Sequence, residues 1–260
     1  MCDVPSPDKA CGRSHATLMD EVYRGQRFIY DVTRKYYLFG RDTAIDALAL
    51  PPGARLVEVG CGTARNLICI ARRYPEAKLF GLDASVEMLR TAERAVARAG
   101  LANNVVLAQG YAETLSPTAF GETALFDAVL FSYSLSMIPD WDAALEAAQR
   151  ALGPGGRIHI VDFGDFAGLS RPLARALRGW LSRFHVTPRD ELLGRLEHGL
   201  TPNACLRLLP GRYAFIASLS GFSPSHVVAA RSHAASKRAR LAGAPECPQD
   251  AAGTKACAFS

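Results

Sequence analysis

Short apolar runs and helical stripes alternate along most of this chain. Between Leu18 and about Leu50, Tyr23, Phe28, Ile29, Val32, Tyr36, Tyr37, Leu38, Ile45 and Leu48 recur at helical intervals among charged residues. Gly40 divides that stretch into two or more helices, and Pro51-Pro52-Gly53 ends it. The pattern then changes to strands and helices in turn. Strands are expected over 55–60, 78–82, 104–109, 126–132 and 157–162, with helices over 64–73, 85–99 and 141–152. Gly153-Pro154-Gly155-Gly156 marks a sharp turn before the fifth strand. Short strands separated by helices imply a mostly parallel sheet covered on both faces.

Two amphipathic helices follow, over 172–184 and 189–198. Strands over 204–209 and 212–219, joined by Pro210-Gly211, read as an antiparallel pair at a sheet edge. The first residues, 1–17, form a loose leader without periodicity. Beyond residue 220 the chain is rich in alanine, serine and arginine, with a helix expected over about 225–241 and a loose tail after it.

The length of 260 residues, with 49% apolar and 21% charged, suits one ordinary core that needs neither disulfides nor a metal to complete it. Lys plus Arg number 30 against 25 Asp plus Glu, a formal charge of +5. Of the basic residues 25 are Arg, whose guanidinium offers forked recognition of carboxylate or phosphate. This balance suits an anionic partner without identifying one. The seven cysteines form no CxxC pair, and no apolar leader precedes them, which points to free thiols in a reducing cytosol. No run approaches the roughly 20 apolar residues that cross a bilayer, so membrane contact is expected to be peripheral. Cys257-Ala258-Phe259-Ser260 meets a prenylation pattern only formally, and chance accounts for it better.

Candidate chemistry starts at Glu58-Val59-Gly60-Cys61-Gly62-Thr63-Ala64, a strand-to-helix junction. Glycines there permit close backbone approach, and the helix start offers unused amide donors, a geometry suited to a dinucleotide, a nucleoside or a carboxylate. Asp83 ends the next strand, where its carboxylate suits the two hydroxyls of a ribose. Against a dinucleotide, the third glycine of GxGxxG falls at Arg65.

With VEVGCGT ending at Thr63, FGLDAS at Ser85, FDAVLFSYSLSMIPDW at Trp141 and LGPGGRIHIVDFGD at Asp165, the chain resembles the class I S-adenosylmethionine-dependent methyltransferases from about Tyr23 to Leu219. The final glycine of that family's first motif is Ala64 here. The resemblance implies an α/β, doubly wound Rossmann-like fold with a mostly parallel seven-stranded sheet, an antiparallel C-terminal edge and added N-terminal helices. It implies a helical lid over 18–52, a donor-binding catalytic domain over 53–220 and a basic extension over 221–260. S-adenosylmethionine is the implied cofactor, with no metal. Glu58, Gly60 and Gly62 are expected around its amino-acid portion and Asp83 at its ribose. Ala84, Ser85, Met88, Tyr111 and Glu113 are expected at its adenosine, and Ser132 beside it.

More narrowly, YRGQRFIYDVTRKYYLFGRD ending at Asp42, YSLSMIPDW, IHIVDFGDFAGL and LRGWLSRFHVTPR ending at Arg189 resemble the betaine-lipid N-methyltransferases, which trimethylate diacylglycerylhomoserine. That resemblance implies a lipid acceptor and an anionic membrane surface as partners, no nucleic acid, and a cytoplasmic protein peripheral to the membrane. Tyr133 and Ser134 are then expected where the acceptor meets the methyl. His159 is a candidate for proton transfer, against a structural role inside its apolar strand. Tyr23, Tyr30, Tyr36 and Tyr37 offer aromatic faces to the nitrogen as it gains charge. Arg34 and Arg41 are candidates for the acceptor carboxylate, and His185 stands beside a lipid-facing helix. On that helix Leu173, Leu177, Trp180, Leu181 and Phe184 group on one side, with Arg175, Arg178 and Arg183 spread over the others, a pattern that suits a bilayer interface or a seat on the core. Phosphatidylethanolamine, another small amine, and a noncatalytic donor-binding regulator remain as alternatives.

Overall fold

Strands whose residues are apolar without alternation must be covered on both faces, and β1 (Arg55–Val59) has four consecutive buried residues, Glu58 among them. It stands at the middle of a seven-stranded sheet in the order β3-β2-β1-β4-β5-β7-β6. The other strands are β2 (Lys78–Asp83), β3 (Val105–Gln109), β4 (Phe126–Ser132), β5 (Leu152–Phe163), β6 (Cys205–Leu208) and β7 (Ala214–Ser220). The computed structural model describes residues 38–198 and 204–220. All of them belong to the first of two units, Met1–Phe222; the second, Ser223–Ser260, lies outside the described residues, as do the leader and any helix before Gly40.

Strands β1 to β5 pair in parallel, and β7 runs against both β5 and β6. The reversed strand therefore sits one place inside the sheet, between β5 and the edge. The helices are α1 (Arg41–Asp46), α2 (Arg65–Arg73), α3 (Val86–Arg98), α4 (Trp141–Ala151), α5 (Arg171–Ser182) and α6 (Asp190–Glu197). Gly40 precedes α1 with φ 83°, which a side chain would resist. Ser85 and Asp140 cap α3 and α4 by accepting from the amides of Met88 and Ala143.

Alternation of side chains along each strand divides the core. Val57, Val59, Phe126, Phe131, Ile158 and Ile160 face α4 and α6, where Ala144, Leu145, Ala148, Leu192 and Leu196 meet them. Leu56, Leu79, Ala128 and Leu130 face the other way, onto Leu67 and Ile70 of α2 and Leu89, Ala92 and Val96 of α3. A third cluster joins Tyr133, Val161, Phe163 and Phe166 to α5.

The stripe on α5 is divided by this packing. Leu181 is buried, Leu177, Trp180 and Phe184 are half-buried against the third cluster, and Leu173 is exposed. Arg178 is held by Asp190 and by the carbonyl of Asp165, while Arg171, Arg175 and Arg183 are exposed. Seating on the core therefore accounts for most of the apolar side of the helix. No helix among the described residues is long and apolar enough to cross a membrane.

Candidate active site

The sheet order reverses at β1, whose neighbours are β2 on one side and β4 on the other, and ligands in such sheets bind where the strands' carboxyl ends part. An open cleft lies there, in the place where small-molecule sites of such sheets form. Loops after four strands line it: Gly60 and Gly62 after β1; Asp83, Ala84 and Met88 at β2 and beyond; Gly110, Tyr111 and Glu113 after β3; Tyr133, Ser134, Met137, Ile138 and Pro139 after β4.

The first loop is pinned by its own backbone. The amides of Gly60 and Cys61 donate to the carbonyl of Leu82 at 2.8 and 3.1 Å. Gly60 and Gly62 have φ of 73° and 54°, and Ala64 adopts the same left-handed region at 62° just before α2. Asp83 ties this loop to the next: Oδ2 accepts from the Gly62 amide at 2.7 Å and Oδ1 from the Ser85 amide at 2.9 Å. These two bonds fix the Asp83 carboxylate where it lines the cleft. Burial, then the charges of Asp83 and Glu58, push the Cys61 thiol well up, so it stays protonated.

Tyr133 follows β4 with φ 56°. Its amide donates to Val161 and its hydroxyl to the carbonyl of Phe39 at 2.5 Å, and its ring meets Phe163 edge-on at 4.7 Å. Burial, then Asp162 and Tyr213, raise its phenol well above the ordinary range against the pull of Arg41. It acts as a fixed donor and wall. Ser134 is buried, and its hydroxyl has no hydrogen-bond partner among the described residues. The turn carrying it is tied down from two directions. Asp162 Oδ2 accepts from the Ser136 amide at 3.0 Å, and the Ser136 carbonyl accepts from Thr187 at 2.8 Å. Arg189 donates to the carbonyls of Leu135 at 2.9 Å and Ile138 at 2.5 Å.

Of the expected donor residues, Gly60, Gly62, Asp83, Ala84, Met88, Tyr111 and Glu113 meet along the cleft, with Tyr133 and Ser134 opposite. Glu58, Ser85 and Ser132 are buried outside its lining. Glu58 accepts from Asn66 Nδ2 at 2.7 Å, a residue that reading for glycines and acids passed over. Ser85 serves as the α3 cap, and the Ser132 hydroxyl is buried with no hydrogen-bond partner among the described residues. Asp162 and Arg189, which carry no motif signal of their own, are the supports of the β4 turn.

His159 lies outside the cleft lining. It pairs with Leu130 and Ser218 in the middle of the sheet, and burial, then Arg157, lower its imidazole to about 4. A neutral, enclosed ring placed there fits the structural role and not proton transfer at the reacting atoms. His185 is exposed just past α5, and Arg41 opens α1 near Tyr133; neither lines the cleft. Tyr23, Tyr30, Arg34, Tyr36 and Tyr37 lie outside the described residues.

The cleft fits a nucleoside linked to an amino acid. The Asp83 carboxylate lines it at the end of β2, a glycine cradle is too tight for a Cβ, and a buried hydroxyl without a partner among the described residues faces that cradle. Fold and cleft together define a class I S-adenosylmethionine-dependent methyltransferase, and the chain belongs to that family. The model of the methyltransferase domain family matches residues 56–156. The chain is 31% identical over 186 residues to the ubiquinone/menaquinone biosynthesis C-methyltransferase UbiE of Syntrophotalea carbinolica, covering 70% of this chain and 72% of that protein. It is 32% identical over 126 residues to the demethylmenaquinone methyltransferase of Geobacillus kaustophilus, covering 48% of this chain and 52% of that one. Among solved structures, an O-methyltransferase family protein from Burkholderia thailandensis superposes with a TM-score of 0.61 at 16% identity, over 79% of this chain and 63% of that one. A SAM-dependent methyltransferase from Aquifex aeolicus gives 0.54 at 18%, over 75% and 96%. The two structures share the fold.

Bound in the cleft, S-adenosylmethionine supplies an electrophilic methyl on its sulfonium. The residues that would hold and aim it are those lining the cleft: Asp83 for the ribose, Gly60 and Ser134 for the amino-acid portion, and Tyr133, Met137 and Ile138 as the wall toward an acceptor. Alignment of this kind carries a large share of the catalysis of one-step transfers. Among the described residues no group of three or more His, Cys, Asp or Glu is placed to hold a metal ion.

Proposed function

We propose that the protein N-methylates diacylglycerylhomoserine in succession to its trimethylated betaine lipid, working at an anionic membrane surface from the cytoplasmic side. One observation carries the reading. Three of the segments on which the betaine-lipid resemblance rests, YSLSMIPDW, IHIVDFGDFAGL and LRGWLSRFHVTPR, meet in space as one wall. Ser136 comes from the first, Asp162 from the second, and Thr187 and Arg189 from the third, joined by the bonds given above. Likeness concentrated on the acceptor side of a cleft bears on the acceptor; glycine loops do not. Met88, Met137 and Phe184 pack together at this wall, an apolar surround that suits a lipid. The exposed Arg171, Arg175 and Arg183 on α5 suit phosphate at a bilayer surface.

A second reading is methylation of a carbon on a quinone precursor, favoured by the 31% identical relative, a C-methyltransferase of ubiquinone and menaquinone biosynthesis. Carbon and nitrogen acceptors separate in one experiment. The full chain is incubated with labelled donor and vesicles holding diacylglycerylhomoserine, phosphatidylethanolamine or a demethylated quinol, and products are weighed. A ladder of one, two and three methyl additions on the homoserine lipid is expected. A single addition confined to the quinol replaces this reading with the second, and donor binding without any product makes the protein a regulator.

A further inference from the structure

We propose that Asp162 is a positioning residue for methyl transfer: its ionised carboxylate clamps the turn over residues 134–138 in the place from which Ser134 and Met137 face the donor. Asp162 is 2% exposed and interrupts an otherwise apolar run at the end of β5. It does not line the cleft, so any effect on the reaction passes through the residues it holds.

Its two oxygens are used separately. Oδ2 accepts from the Ser136 amide at 3.0 Å, across to the β4 turn, and Oδ1 accepts from its neighbour Phe163 at 2.8 Å. An ionised acceptor makes such bonds roughly twice as strong as a neutral one. The titratable groups around it are the Arg189 guanidinium, from the start of α6, and the neutral Tyr133 phenol, from the end of β4; Arg41 and Tyr213 act on that same phenol. Arg189 spends its donors on the carbonyls of Leu135 and Ile138, so carboxylate and guanidinium grip the same turn from its amide side and its carbonyl side.

Burying this carboxylate has a cost, and burial pushes it up to about 6 against the opposing pull of the Ser136 and Phe163 bonds and Arg189. The folded chain then binds more protons than the unfolded one between about pH 4 and 6, so Asp162 makes the fold more stable as pH falls through that window. The clamp weakens over the same window. A residue that only supported the fold would not separate stability from the placement of the turn in this way.

The test uses the full chain and S-adenosylhomocysteine, the demethylated donor, and so stands apart from the identity of the acceptor. Calorimetry from pH 5 to 8 should show wild-type affinity falling about tenfold as pH drops through 6. Asp162→Asn should hold the weaker affinity throughout, with faster amide exchange over residues 134–138 and unchanged exchange in β1 and β2. Asp162→Glu should restore part of the pH inflection. In the wild type alone, which needs no variant to fold, the Ser136 amide proton shift should titrate with a midpoint near 6. An Asp162→Asn chain with wild-type affinity and exchange at pH 8, or a wild-type affinity that stays level while the Ser136 shift titrates, overturns the proposal.

Discussion

A Cβ built on Gly60 would lie 2.6 Å from the Cβ of Ser134. The glycine that opens the donor loop after β1 is thus required by the serine that follows β4, as well as by its own φ of 73°. Two separable penalties follow. Gly60→Ala should weaken S-adenosylhomocysteine binding and destabilise the fold by about 2 kcal/mol or more, from left-handed strain plus the contact. Adding Ser134→Gly should recover the contact part and leave the strain. Urea unfolding of both single variants and the double variant measures the coupling; strict additivity would mean that the contact is relieved some other way.

Ala64 occupies the left-handed region where the family commonly has glycine, and here magnitudes oppose each other. Relieving that strain gains about 1–2 kcal/mol. Removing a fully buried methyl loses about 0.8 kcal/mol, and the freer unfolded chain costs roughly 0.5–1 kcal/mol more. Ala64→Gly should therefore be close to neutral, within about 1 kcal/mol in a urea titration, with donor affinity kept. A loss of several kcal/mol would mean that the methyl packs far more tightly in the core under α2 than its size suggests.

Cys61 sits inside the donor loop yet should be chemically quiet. It is buried, and both burial and the nearby carboxylates hold it as the thiol. Iodoacetamide at pH 8 should label the exposed Cys205 of the folded protein and spare Cys61, while unfolded chain labels at both. Peptide mass mapping after brief exposure reads this directly. Equal labelling of the two in the folded state would contradict the enclosure of the loop.

The same contrast between local and long-range causes explains what could be read without coordinates. β4 matches its expected span of 126–132, an apolar run broken only by Asp127 and closed by Ser132. The glycine loop and Asp83 were legible because only certain residue types suit those backbone shapes. β5 begins at Leu152, before the Gly153-Pro154-Gly155-Gly156 turn, because Leu152 already pairs with Phe126 across a register shift. Glycines announce a turn but not what their neighbours pair with. Reading a proton-transfer candidate into His159 while assigning no role to Asp162 has a similar origin. Which residue of a strand meets the catalytic turn depends on how far the strand runs past its partners. His159 pairs within the sheet, and Asp162 reaches the turn.

His159 carries the last prediction. Its folded value of about 4 lies below the ordinary 6.5, so between those limits the unfolded chain binds the extra proton and the fold loses stability as pH falls. The loss approaches 1.4 kcal/mol per pH unit once well below 6.5. Asp162 contributes with the opposite sign below about 6, which blunts the wild-type slope without removing the histidine's part. His159→Leu, which puts an aliphatic side chain beside Leu130, should lose less stability than wild type between pH 7 and 5, by about 2 kcal/mol in paired urea titrations. Its turnover at pH 7.5 should stay near wild type, because the ring is outside the cleft lining and already neutral. Equal slopes would show that the imidazole charges freely in the fold. A collapse of turnover with stability intact would return His159 to the chemistry.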